Sequence, residues 1–457
     1  MVRTLASMVV LALAASAPTA AGAAPPRTIL QDDAALLYRG AAVRERALDE
    51  LHRIGVDAIR VLVVWRRHAP APHSRRRPLG FDAGDPDAYP PGTFADLDAL
   101  AVAAKARGLE LILTPTGPGP AWASGCETGS LATRQACAPQ PDDFRRFVTA
   151  LGRRYPDQRH WAVWNEPNNP NWLLPQFEDR RPASPGHYRR LVRAAERALQ
   201  ATGHGDDELL AGETAPIGFQ RGRTKRTPMM PGPFLTKLLC CARLPATGIS
   251  HHAYTRGGSQ PPRFESLPGE LAISSLGRLV KLVDAAARRG RLPRTAGVHL
   301  TEGGWQTSPP DRLFGVPLLK QARWLNEMEW MVRAHPRVRS VAQYLLYDEP
   351  RSGRFQSGLR FDDGRAKPAL AAFRLPIWVV RRGRTVTVWG RSRARGDTLS
   401  TRVDIQRRAQ GGRRWHTVAS GPATASEFLL TRRGGTKGHW RLRQGALTSR
   451  TADEAQR

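Results

Sequence analysis

Two glutamates sit where a chain needs a reason to place them. The stretch WAVWNEPNNPNW runs from an apolar segment straight into Asn165 and Glu166, and VHLTEGGW does the same with Glu302. A carboxylate that directly follows an apolar strand loses hydration, so it needs partners or a chemical use. Two of them, at the ends of the fourth and seventh strands of one closed barrel, face a single cleft. Such a pair suits cleavage of a glycosidic bond: one carboxyl protonates the departing oxygen while the other attacks or activates water. On this reading Glu166 is the general acid/base. It keeps its proton because an apolar surround and the charge of Glu302 raise its pKa, while Glu302 stays ionised as nucleophile. A separation of roughly 5 Å goes with retention of configuration, and about 7 Å or more with inversion. The chemistry requires no metal and no organic cofactor.

The elements that must position these groups alternate along the chain. ALDELHRIG reads as a helix closed by Gly55 and leads into the strand VDAIRVLVVW; FADLDALAVAAKARG, closed by Gly108, leads into LELILTPT. DDFRRFVTALGRRY precedes HWAVWNEP, HYRRLVRAAERALQATG precedes ELLAGETAP, and TGISHHAYT, AGVHLTEGGW and SVAQYLLYDE continue the series. With TILQDDAALLY as first strand the count reaches about eight, which closes a (β/α)8 barrel of the TIM type. DGRAKPALAAF reads as a last helix sealing the barrel floor. Beyond it IWVVRRGRTVTVWG, TRVDIQRRA and HWRLRQ are short alternating strands, a small C-terminal β-sandwich. The α/β fold therefore divides into a barrel over 24–375 and an accessory domain over 376–457, the latter a wall- or carbohydrate-binding module or a brace for the barrel.

WNEPN after the fourth strand, HHAYT after the sixth and TEGGW after the seventh together resemble the clan A glycoside hydrolases, particularly families 5 and 39, over residues 30 to 375. The resemblance implies a retaining enzyme with Glu166 as acid/base and Glu302 as nucleophile. It further implies that Asn165 bonds the sugar 2-hydroxyl and that Arg60, at the end of the second strand, holds the nucleophile ionised. Tyr254 would bond the nucleophile and His252 would line the site, with the adjacent His251 as the alternative histidine. Trp65, Trp122, Trp172 and Trp305 fall near strand ends, where flat rings serve as sugar platforms. Many clan members carry a Trp on the eighth strand; this chain has Tyr344 and Tyr347, which leaves the innermost platform open.

Composition frames the rest. The formal net charge is +30, Arg outnumbers Lys, and the basic residues read as spread over the whole chain, so no specific nucleic-acid partner is expected. An anionic glycan or cell wall fits that charge better, and the expected partner is a carbohydrate substrate. Arg3, the run MVVLALAA and Ala21-Gly22-Ala23 read as an export signal over 1–23, implying a secreted protein without a membrane span. Of four cysteines, Cys126 and Cys137 close a short loop and form the expected bridge. A bond between the neighbours Cys240 and Cys241 is expected to be strained, so these read as buried thiols or as partners of the other two. The rival reading is a non-catalytic carbohydrate- or wall-binding protein on a barrel scaffold.

Overall fold

A computed structural model describes residues 25–219, 222–350, 355–396, 399–423, 427–433 and 436–456. The expected export segment lies outside them. Eight parallel strands close a barrel: β1 Arg27–Gln31, β2 Ala58–Val64, β3 Glu110–Thr116, β4 His160–Ala162, β5 Glu208–Thr214, β6 Gly248–His252, β7 Gly297–Glu302 and β8 Val338–Tyr344. A principal helix follows each: α1 Ala41–Arg53, α2 Ala95–Ala106, α3 Pro141–Arg154, α4 Ser184–Ala201, α5 Pro231–Leu238, α6 Leu276–Arg288, α7 Leu318–Val332 and α8 Pro368–Arg374. The first strand is shorter than TILQDDAALLY suggests. It stops at Gln31, and Ala34–Tyr38 coils into a helical turn in which the Asp32 carboxylate caps the Ala35 amide at 3.0 Å. The helix read as sealing the floor, α8, packs instead beside α7 in the outer ring.

Strand alternation decides what enters the barrel. Ala58, Ile112, Ala162, Leu210, Ile29 and Ala342 meet inside it, while Ile59 and Val61 point outward to the helices. Arg60, two residues beyond Ala58, therefore projects inward as well. It lies at the third residue of β2, within the strand rather than at its end.

Past α8 the antiparallel strands β9 Ile377–Arg382, β10 Thr385–Gly390, β11 Arg402–Ala409, β12 His416–Pro422, β13 Phe428–Arg433 and β14 Gly438–Gln444 form two sheets. Ile377, Val379, Val386 and Val388 of one sheet share a core with Val403, Ile405, Trp440 and Leu442 of the other, which makes the region a sandwich. It attaches where the barrel strands begin: Arg393 reaches Thr28 at 3.1 Å and Glu329, and Arg395 pairs with Asp57 at 2.7 Å. The carboxylates of the sequence motifs lie at the opposite end of the strands.

Cys126 and Cys137 are bonded. Cys240 and Cys241 are bonded to each other, against expectation, and are exposed rather than buried. With the other two cysteines satisfied, each neighbour has only the other to pair with. Among the described residues no helix is long and apolar enough to cross a membrane.

Candidate active site

The site is built around two cations and three carboxylates. Arg60 is fully buried and spreads its guanidinium over four acceptors. Nη1 donates to Glu302 Oε1 at 3.0 Å and to Gln31; Nη2 donates to Glu213 Oε2 at 2.5 Å and to Asn165 Oδ1 at 3.1 Å. The planar fork meets several oxygens at once, a geometry lysine does not supply. His252, also buried, lies 3.1 Å through Nδ1 from Glu166 Oε1 and 3.5 Å from Glu302 Oε2, while Nε2 lies 3.0 Å from Glu213 Oε2. Burial alone would strip its proton, but the charge of Glu302 and the bonds to Glu166 and Glu213 outweigh that and lift its pKa to about 10. His252 is thus a cation at neutral pH, donating from both ring nitrogens.

Tyr254 donates its hydroxyl to Glu302 Oε2 at 3.1 Å, and burial beside that carboxylate keeps the phenol protonated. Asn169 donates to Glu166 Oε2 at 2.8 Å. One nitrogen sits within 3.1 Å of Glu166 and 3.5 Å of Glu302, so those two oxygens lie no more than about 6.6 Å apart, and closer for any bend at the nitrogen. Their side chains are 18% and 10% exposed, so each reaches solvent at the strand ends.

The backbone is strained at this place. Trp164, Glu166 and Glu213 adopt φ of 69°, 41° and 43°, and the Glu166 amide donates to the Glu213 carbonyl at 2.9 Å. Left-handed non-glycine residues cost about 1–3 kcal/mol each and persist where surroundings over-determine them.

No family model and no curated protein matches this chain. Among solved structures it is similar to a family 39 glycoside hydrolase from the gut symbiont Bacteroides cellulosilyticus WH2, 14% identical, with a TM-score of 0.55 over 90% of this chain and 79% of that one. It is also similar to GH5_18 from Streptomyces cattleya in complex with GlcNAc, 19% identical, TM-score 0.51, over 77% and 79%. Both are glycoside hydrolases. At these identities the likeness establishes the barrel fold, and it falls in the families that the motifs resemble.

Glu213 is the group that sequence reasoning missed. The register of β5 shifts between Ala211 and Thr214, turning Glu213 inward. The bulge needs glycine at 212, where φ is 127° and a Cβ would meet the Ser250 carbonyl oxygen at 2.3 Å. Thr301 adds a bond to Glu213 Oε2 at 3.1 Å, and the Arg60 charge together with the His252 bond overcomes burial to hold this carboxyl at about 2. The motif GET at a strand end carries the same signal that identified Glu166 and Glu302.

Three expectations need correction. His251 is not the site histidine: it bonds Thr214 Oγ1 at 2.8 Å and the Leu271 carbonyl, and burial lowers its pKa to about 4. Three of the aromatic platforms are core. Trp65 is fully buried against Phe147, Trp305 packs edge-on to Trp324 with its indole N–H on the Gln260 carbonyl, and Trp122 donates to the Pro70 carbonyl. Trp172 is half-buried, and Tyr344 ends β8 edge-on to Tyr254 and Phe355, with centroids 6.4 and 5.2 Å away. The third correction concerns the proton. Burial would raise the Glu166 carboxyl, but the bond and charge of His252 and the Asn169 bond bring it below the ordinary value. Glu302 is pushed up, first by burial and then by the charges of Glu166 and Glu213, against the pull of His252 and Arg60. In the free protein the two shifts run opposite to those expected from the sequence.

Proposed function

We propose that the protein is a retaining glycoside hydrolase acting by double displacement, with Glu302 as nucleophile and Glu166 as acid/base. The observation that carries this is the close pair of cleft carboxyls bridged by His252 Nδ1. The bound of about 6.6 Å on that gap, reduced by any bend at the nitrogen, favours the roughly 5 Å of a retaining pair over the wider spacing that holds a water in an inverting pair. Glu302 receives hydrogen bonds from Arg60 and Tyr254, which aim it and spread its charge. Glu166 lacks the arginine and is bonded by Asn169.

His252 Nδ1 lies within reach of both carboxylates, so the imidazolium can pass a proton to Glu166 and take one back from Glu302 with no net change of its own charge. In the reacting complex Glu166 carries the proton and Glu302 is the free carboxylate. Glu302 then attacks the anomeric carbon as Glu166 protonates the leaving oxygen. The Glu166 carboxylate next takes a proton from water, whose oxygen displaces Glu302 from the sugar. On this reading Asn165, whose Oδ1 accepts from Arg60, bonds the 2-hydroxyl.

The chain is exported on this account. The charged and apolar opening of the sequence supports it, and two disulfides suit an oxidising compartment; the amino-terminal residue of the secreted protein tests it. Activity is tested by sugar release from neutral and acidic polysaccharides and aryl glycosides. The mature protein should release sugar from at least one, and Glu302→Ala should lose at least about 10³-fold of that rate. Equal release by the variant would remove Glu302 as nucleophile, and none by either protein would favour a carbohydrate-binding barrel.

A further inference from the structure

The positive charge is not spread evenly, as the sequence alone suggested. Residues 376–457, under a fifth of the chain, hold 18 Arg and Lys against five Asp and Glu, which is +13 of the net +30. Where the β11–β12 hairpin faces β13 of the second sheet, a cleft of about 470 Å³ is lined by Arg407, Arg413, Arg414, Arg432, His416 and Val418. Beside it Arg408 and Arg441 lie over the Trp415 ring, 5.0 and 4.4 Å from its centroid.

Among the described residues the carboxylates of this domain are engaged elsewhere. Asp404 accepts from Ser420 at 2.6 Å and lies 3.6 Å from Arg402; Glu427 pairs with Arg333 at 2.9 Å. Asp453 pairs with His439 at 2.6 Å and Glu454 with Arg381 at 2.5 Å. Among the described residues none forms an ion pair with Arg407, Arg413, Arg414 or Arg432; Arg407 donates to the Thr436 carbonyl at 2.6 Å and lies over the Trp440 ring. Four guanidiniums around one concave surface repel each other and concentrate anions from solution. Each presents a fork suited to carboxylate oxygens.

We propose that this cleft is a binding site for an acidic, carboxylate-bearing polysaccharide, which it holds apart from the bond being cleaved. The sandwich attaches at the end of the barrel away from Glu166 and Glu302, so the site tethers a polymer and does not extend the catalytic cleft. The choice of polysaccharide over nucleic acid rests on the glycosidase reading; the unpaired cationic cleft does not.

The full-length chain should bind polygalacturonate in about 50 mM salt, with affinity falling steeply toward about 200 mM, and should ignore a neutral glucan. Replacing Arg413, Arg414 and Arg432 by alanine, all exposed positions, should weaken binding about tenfold or more at an unchanged unfolding midpoint. Glu302→Ala should bind like the unaltered chain. Binding unaffected by the three substitutions, equal binding to the neutral glucan, or tighter binding to double-stranded DNA would overturn the proposal. Specific binding without sugar release from any substrate would leave this site standing and remove the glycosidase reading.

Discussion

At the residue scale, His252 and Glu213 depend on each other. Glu213 is fully buried; its side chain bonds Arg60, His252 and Thr301, its amide donates to the Ser250 hydroxyl, and its carbonyl accepts from the Glu166 amide. With Glu166 and Glu302 it makes three carboxylates around two cations, a net −1 that one further proton brings to neutrality. Removing the charge in Glu213→Gln takes one charge-assisted hydrogen bond from His252, worth about 1.5–3 kcal/mol. The histidine's titration midpoint, followed by nitrogen-15 NMR, should fall by about one to two pH units. An unmoved midpoint would mean that Glu166 and Glu302 suffice to hold the proton. Much of this site was legible, because Asn165, Glu166, His252, Tyr254 and Glu302 lie in strand-end motifs where residue type and position speak together. The directions in which Glu166 and Glu302 are shifted were not, since they depend on which three carboxylates surround one imidazole.

At the element scale, β/α alternation was read from helix periods and apolar runs, and all eight strands are found where those runs lie. The tryptophans defied the same treatment because a ring at a strand end faces the cleft or the core according to the path of its loop. Trp65 shows this: a helical turn over Trp65–His68 follows β2 directly and stacks the ring on Phe147, 5.7 Å away. The contact between barrel and sandwich was also beyond the pattern. Gly55, identified as the cap of α1, has φ of 79°, and a Cβ there would fall 1.8 Å from the Arg393 carbonyl oxygen. One glycine thus ends a helix and admits the neighbouring domain. Gly55→Ala should cost at least about 2 kcal/mol, from strained φ and overpacking together, seen as a lower denaturant midpoint. A loss within about 0.5 kcal/mol, the range of ordinary surface changes, would show that the two domains do not bear on each other there.

At the scale of the whole molecule, buried titrating groups set a pH optimum for stability. Burial lowers His68, His251 and His299 from 6.5 to about 4, so the unfolded chain takes up these protons first and stability falls as pH drops from 6.5 toward 4. Burial raises Asp32 to about 6, and its protonation in the folded state offsets one of the three. Over these four groups the slope is about two protons, roughly 2.7 kcal/mol per pH unit. Below 4.5, loss of charge on Glu208 and Glu213, both held at about 2, adds to it. His252 acts on the other side: raised to about 10, it stabilises fully below 6.5, and that contribution is lost as pH rises toward 10. Urea unfolding across pH should give a maximum near 6.5 with the steeper fall on the acid side. A flat profile from pH 4 to 8 would contradict these assignments.

The central claim is a covalent bond between sugar and Glu302, and intact-protein mass spectrometry after incubation with a panel of 2-deoxy-2-fluoro glycosides tests it most directly. The account predicts a mass gain of one glycosyl unit, mapped by peptide fragmentation to Glu302 and absent in Glu302→Ala. A label on Glu166 or Glu213, or cleavage of a substrate with inversion and no labelled species, would contradict it.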